Sequence, residues 1–118
     1  MVGLTKSAGA ELCRHGIRVN AIAPAGMATA MVANVTTGDP NAIEETKKVL
    51  AETSPLLNRA GLAEDVANAA LWLASDDSGY TNGHTLTTDA GITTGATPNP
   101  PAFDEYQPMI REAGKSGL

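Results

Sequence analysis

The stretch that decides the fold reads Gly16-Ile17-Arg18-Val19-Asn20-Ala21-Ile22-Ala23-Pro24-Ala25-Gly26-Met27-Ala28-Thr29. Its first half, Ile17 to Ala23, is apolar at most positions, which is typical of a buried parallel strand. Pro24 ends the predicted strand, and mostly small residues follow it as far as Thr29. Ligands of open α/β sheets bind outside the carboxyl ends of the strands, where small side chains let a ligand approach the backbone. We therefore expect a ligand site directly after this strand.

The rest of the chain alternates helical patterns with one more short strand. The predicted elements are helices over Val2 to His15, Asn41 to Glu52 and Leu62 to Ser75, and a strand over His84 to Thr88. We expect Asp39 to cap the second helix and Pro40 to lie in its first turn. Residues 30–40 predict no regular element. A strand, a helix and a second strand form a βαβ crossover, so the two strands should be parallel.

A sheet of two parallel strands does not stand alone, because such sheets need further strands and cover on both faces. The strand Ile17 to Ala23 would keep one bare edge. The sequence thus predicts an α/β fold that is the C-terminal portion of a larger parallel sheet, with a βαβ unit and flanking helices. Residues 1–95 should form this domain portion. Residues 96–118 open with a proline-rich segment and should form an extended tail.

Composition and charge narrow the class of protein. The chain is 42% hydrophobic and 18% charged, as in globular proteins, and its net charge of −5 argues against nucleic-acid and anionic-membrane partners. No apolar run is long enough to span a membrane, and no signal-peptide pattern opens the sequence. Cys13 is the single cysteine, and His15 and His84 are too far apart to suggest a metal site. We expect a cytoplasmic protein without a metal.

Three segments, in this order, resemble the short-chain dehydrogenase/reductase family. They are Ile17 to Thr29, Gly61 to Asp76 with its Gly-Leu-Ala-Glu-Asp-Val-Ala opening, and Asn82 to Gly91. The resemblance spans Val2 to Thr94 and is strongest to the plant branch of secoisolariciresinol and xanthoxin dehydrogenases. Two residues depart from the family pattern. Ala25 and Ala90 each stand where many members have glycine.

The resemblance implies that the fold is the C-terminal portion of a Rossmann-type doubly wound parallel sheet. It also implies a nicotinamide cofactor, NAD or NADP, with NAD favoured. It assigns Pro24 and Met27 to the lining of the nicotinamide pocket, where the Met27 backbone would meet the carboxamide. It assigns Thr29 a hydroxyl contact with the cofactor, although that hydroxyl could instead cap the segment that follows. It also implies a small hydrophobic secondary alcohol or ketone as substrate, and a homo-oligomer.

Several family hallmarks do not occur in these 118 residues: the glycine-rich phosphate loop, the catalytic serine and the Tyr-x-x-x-Lys pair. Lys6 corresponds to a non-catalytic lysine of the family. We therefore assign no catalytic residue and expect a segment of an NAD(P)-dependent oxidoreductase that is inactive by itself. The alternative is a non-catalytic, truncated product that acts as an interaction module by docking on full-length relatives.

The stretch Ala30 to Asn58 occupies the substrate-binding region of the family. Its apolar side chains would suit a lid over a hydrophobic substrate: Met31, Val32, Val35, Leu50, Leu56 and Leu57. An amphipathic helix that packs on its own domain explains them equally well, so no substrate-binding residue is assigned.

Overall fold

The computed structural model describes residues 1–56 and 58–95. Its helices are α1 (Val2–Leu12), α2 (Ala30–Thr37), α3 (Ile43–Thr53) and α4 (Ala63–Ala74), and its strands are β1 (Ala21–Pro24) and β2 (Thr85–Thr88). Short 3-10 turns cover Cys13–His15, Asp76–Ser78 and Ile92–Thr94. The predicted tail, 96–118, lies outside the described residues.

The two strands pair in parallel, with Ala21 opposite Thr85 and Pro24 opposite Thr88. Helix α4 lies between them in the chain and packs against both. Its inward face carries Val66, Ala69 and the buried Leu73, at the spacing expected of an amphipathic helix. The α/β class and the parallel pairing predicted from the sequence are both confirmed.

Strand β1 begins four residues later than predicted. Before it, asparagine side chains form hydrogen bonds with backbone N–H groups that would otherwise pair between the two strands. The N–H of Val19 donates to Asn82 Oδ1 at 2.8 Å, and Asn20 Oδ1 accepts from the His84 N–H at 3.0 Å. These bonds replace ladder bonds, so the segment runs beside β2 without joining the sheet. The strand is also only half-buried, not buried as predicted.

Arg18, a polar residue within the predicted strand, holds the loop that follows α4. Its guanidinium donates to Ser78 Oγ at 3.0 Å and to the carbonyl oxygens of Ser75 and Thr81 at 3.1 and 3.3 Å. Ser78 is buried, so its hydroxyl needs such partners. Arg18 therefore anchors this loop to the entry of β1.

Helices α2 and α3 form a hairpin, of which the sequence predicted only the second helix. Helix α2 was not predicted; it ends at Gly38, which has φ of +81°. The predicted start of α3 is wrong by two residues: the helix begins at Ile43, and the Asp39 carboxylate accepts from the Asn41 N–H before it. Pro40 therefore lies ahead of the first turn.

The hairpin is closed by small and hydroxyl side chains. Ala33 and Thr46 are fully buried, and the hydroxyls of Thr36 and Thr46 lie 3.4 Å apart. Thr46 also donates to the Ala42 carbonyl oxygen at 2.8 Å, which satisfies its buried hydroxyl. Neither this hairpin nor any other described helix has the length and apolarity needed to cross a membrane.

Candidate functional site

A cavity of about 320 Å³ opens beyond the carboxyl ends of β1 and β2. Its floor is formed by the residues that follow each strand, Ala25 to Met27 after β1 and Asp89 with Ala90 after β2. The end of α3 and the segment before α4 close its sides. Small-molecule sites begin at about this volume and favour this edge of a parallel sheet.

The cavity is mainly apolar, with a few polar groups at defined places. Its larger apolar lining residues are Met27, Leu50, Leu56 and Ile92. Polar atoms come from Thr53 and Ser54 at the end of α3, from Arg59 and Asp65, and from Thr88 and Asp89. Such a lining suits a neutral, hydrophobic molecule that carries a small polar group.

Met27 joins the loop after β1 to the segment before α4. It forms an isolated parallel bridge with Gly61, in which the Ala28 N–H donates to the Gly61 carbonyl oxygen at 2.8 Å. Met27 is 9% exposed. This short pairing continues the parallel arrangement of the sheet past the end of β1 and fixes the wall of the cavity.

The backbone N–H of Met27 forms no hydrogen bond with another described residue. Its neighbours differ, since Ala25 donates to the Thr88 carbonyl oxygen and Ala28 to that of Gly61. A backbone donor in a poorly exposed residue normally has a partner, so one left free beside a cavity is available to a ligand acceptor. The carboxamide oxygen of a nicotinamide ring is an acceptor of that kind, so this donor fits the cofactor that the resemblance implies.

Arg59 and Asp65 form an ion pair on the side of the cavity. The guanidinium Nη1 lies 3.1 Å from Asp65 Oδ2, and the same oxygen accepts from the Leu62 N–H at 2.8 Å. Hydrogen bonds from Arg59 and from the Leu62 N–H hold the pKa of Asp65 below its ordinary value. The side chains are 54% and 27% exposed, so the pair orients this segment and contributes little stability.

Asp89 organises the turn after β2. Its carboxylate accepts from the Thr93 hydroxyl at 2.6 Å and from the N–H groups of Thr93 and Gly91 at 2.8 and 2.9 Å. These bonds, with the Thr93 hydroxyl first, lower the pKa of Asp89. Between them Ala90 has φ of +56°, a left-handed conformation that costs an alanine roughly 1 kcal/mol. Ala90 thus adopts the left-handed backbone conformation that glycine would favour at this position.

The structure brings one of the three predicted cofactor residues to the cavity. Met27 lines it, whereas Pro24 is the exposed last residue of β1 and is not part of the lining. Thr29 begins helix α2, and its hydroxyl accepts from the Val32 N–H at 3.5 Å. The capping role that the sequence left open for Thr29 is therefore present, with a long hydrogen bond that leaves the hydroxyl available to a further partner.

The predicted lid residues separate into two groups. Leu50 and Leu56 line the cavity. Met31 and Val35 are 77% and 80% exposed, and Val32 lies outside the lining. Leu57 lies outside the described residues. Among the described residues of the predicted lid, those in and after α3 therefore face the cavity.

The sequence analysis assigned no role in the site to Arg59, Gly61 or Asp89, which the structure places in the cavity lining. The signal that could have found Gly61 and Asp89 was their place in two of the segments quoted above. Within the described residues, no group of three or more His, Cys, Asp or Glu side chains is arranged to hold a metal ion.

A parallel sheet with a cavity outside the carboxyl ends of its strands is the arrangement of nucleotide-binding α/β proteins. Residues 1–93 match a family model described as enoyl-(acyl carrier protein) reductase. Momilactone A synthase of Oryza sativa subsp. japonica is 44% identical over 93 residues, and short-chain dehydrogenase reductase 3b of Arabidopsis thaliana is 44% identical over 94 residues. The chain belongs to the short-chain dehydrogenase/reductase family.

Solved structures agree with this assignment. The crystal structure of levodione reductase superposes with a TM-score of 0.64 at 35% identity, covering 80% of this chain and 36% of that one. The alignments cover 78% and 77% of this chain but 33% and 34% of the two plant relatives. The chain therefore spans about a third of the length of the curated relatives that it matches.

Proposed function

We propose that this chain supplies the part of an NAD(P)-dependent oxidoreductase that faces the nicotinamide and the substrate. The reaction interconverts a small hydrophobic secondary alcohol and its ketone. The observation that carries this proposal is the apolar cavity at the carboxyl ends of β1 and β2, which Met27 lines and where its N–H bonds no other described residue. NAD is preferred to NADP on the resemblance alone.

The role of the chain in this reaction is binding and orientation. A bound nicotinamide would supply the hydride chemistry, as acceptor from the carbinol carbon of the alcohol or as donor to the carbonyl carbon of the ketone. The Met27 N–H would hold the carboxamide, with Pro24 and Thr29 beside it, and the cavity would hold the hydrocarbon part of the substrate. The proton released from the alcohol is not assigned to a residue here, because Tyr-x-x-x-Lys does not occur in the sequence.

The charges around the cavity favour a neutral substrate. Arg59 is already paired with Asp65, and the lowered pKa of Asp89 keeps a carboxylate at the opposite edge. A substrate with its own negative charge would face Asp89 without a free cation among the described lining residues. A ketone or alcohol avoids this repulsion.

The proposal is tested by titrating the chain with cyclohexanone and following amide shifts by NMR. We expect the largest shifts in Ala25 to Met27 and in Thr88 to Asp89. Leu50→Glu places a carboxylate in the cavity and should abolish these shifts, whereas Val35→Glu, at an exposed position of α2, should leave them unchanged. Shifts that survive Leu50→Glu, or that map elsewhere, would contradict the proposal.

A second candidate is the interaction module, either in a homo-oligomer or on a full-length relative. It is favoured by large apolar side chains on two helices: Leu4 of α1 is 73% exposed, and Leu71 and Trp72 of α4 are 70% and 41% exposed. Co-purification with a full-length relative, lost in Leu71→Glu, would favour this candidate. Failure to co-purify, together with cyclohexanone binding, would favour the first.

A further inference from the structure

Gly61 has no conformational need to be glycine. Its φ is not positive, unlike that of Gly16, Gly38, Gly83, Gly91 and Gly95. An alanine could therefore adopt the same backbone conformation. The position is distinguished by how little room it leaves for a side chain, because Gly61 pairs directly with Met27 in the isolated parallel bridge.

The Met27 side chain fills the volume that a side chain at position 61 would need. A Cβ built on Gly61 would lie 2.6 Å from Met27 Sδ and 3.4 Å from Met27 Cε, and 3.1 Å from the Gly26 carbonyl oxygen. A 2.6 Å separation is well below the contact distance, so the thioether would have to move. The Met27 side chain is flexible enough to move, and the Gly26 carbonyl oxygen would have to shift by only a few tenths of an ångström.

The direction of that movement is set by the surroundings. Met27 and Gly61 both line the cavity, and the backbone of Met27 is held by the bridge to Gly61. The open volume next to the thioether is therefore the cavity itself. A larger residue at position 61 would push the methionine into the space that a ligand occupies.

We propose that Gly61 determines the size of ligand that the cavity accepts, by letting the Met27 side chain lie flat on its Cα. This inference rests on the proposed function, because it concerns the same cavity. It makes Gly61 a positioning residue that acts through Met27. Binding of a bulky ketone requires that residue 61 has no side chain, whereas binding of a small ketone does not.

The test compares two neutral ketones, cyclohexanone and the two-ring decalone, on the full chain by NMR titration. Gly61→Ala should weaken decalone binding by about tenfold or more, as overpacking of a filled site does, and cyclohexanone binding by less than about threefold. Gly3→Ala, a change with nothing within 4 Å of the added Cβ, is the matched control and should alter neither. The Met27 methyl resonance should shift in Gly61→Ala and stay in place in Gly3→Ala.

Two further variants separate this inference from a loss of folding. In a Met27→Ala background, Gly61→Ala should lose most of its effect on decalone. Met27→Ala alone should raise the affinity for decalone relative to cyclohexanone. Equal weakening of both ketones, an unmoved Met27 methyl resonance, or no change of the affinity ratio in Met27→Ala would overturn the inference. If the unmodified chain binds neither ketone, the proposed function fails, and the role of Gly61 fails with it.

Discussion

The side-chain amide of Asn82 lies directly against the backbone of Gly9. Its Nδ2 donates to the Gly9 carbonyl oxygen at 3.0 Å, and its Oδ1 accepts from the Val19 N–H at 2.8 Å. One side chain thus ties α1 to the segment that enters β1. A Cβ on Gly9 would lie 2.9 Å from Asn82 Oδ1 and 3.1 Å from the Gly83 Cα.

We predict that Gly9→Ala destabilises the chain by about 1–3 kcal/mol, because the added methyl group meets Asn82 and the Gly83 backbone. Gly3→Ala lies in the same helix with open space around it, and should stabilise by up to about 1 kcal/mol through helix propensity. Urea unfolding followed by circular dichroism measures both. Equal effects of the two substitutions would show that Asn82 does not pack on α1 in this way.

Thr88 carries a buried hydroxyl with no hydrogen-bond partner among the described residues. Because an unsatisfied buried polar group costs free energy, Thr88→Val should stabilise the chain by about 1 kcal/mol. The neighbouring Thr87 is exposed, so Thr87→Val should change stability by less than about 0.5 kcal/mol. Thermal unfolding provides the comparison. A destabilised Thr88→Val would mean that the hydroxyl has a partner in solution.

Asp89 makes the stability of the chain depend on pH. Its pKa is lowered in the folded state by Thr93 and Gly91, so its contribution is complete above the unfolded pKa of about 3.9 and is lost as pH falls through the lower folded value. We expect the stability difference between the native chain and Asp89→Asn to be largest above pH ~4 and to shrink below it. Urea midpoints from acid to neutral pH measure this difference. A difference that does not change with pH would contradict the account of this turn.

Thr29 caps α2, and substitution can separate this observed role from the cofactor contact proposed for its hydroxyl. Loss of its hydroxyl as the N-cap in Thr29→Ala should cost about 1 kcal/mol of stability, whereas Thr29→Ser keeps the acceptor and should cost little. If Thr29 also contacts the cofactor, Thr29→Ala should weaken nicotinamide mononucleotide binding by about threefold to tenfold in conditions where both variants are folded. Unchanged affinity would leave Thr29 as a helix cap alone.

The sequence predicted well the elements that a local pattern of apolar residues defines. Residues 62–75 carry one periodic apolar face, and α4 lies where that pattern predicts. The strand at residues 17–23 was a weaker guide, because Asn20 and Asn82 bond backbone groups that a ladder would otherwise use. A local sequence pattern cannot predict a side-chain hydrogen bond between residues that are more than 60 positions apart in the chain.

The cavity could be predicted only in part. Its position follows from where β1 ends, and Met27 lies in its lining. The contributions of Gly61 and Asp89 depend on the parallel bridge and on the turn after β2, which are tertiary contacts. Helix α2 was not predicted because four of its eight residues, Val32, Val35, Thr36 and Thr37, are β-branched and have low helix propensity.

The central claim is that the Met27 N–H meets a nicotinamide carboxamide at the carboxyl end of β1. The most direct measurement is the amide resonance of Met27 while nicotinamide mononucleotide is added to the full chain. We predict a concentration-dependent downfield shift of that amide proton, with smaller changes at Gly26 and Thr29. A Met27 amide that stays in place while other residues shift, or a chain in which no resonance responds, would contradict the claim.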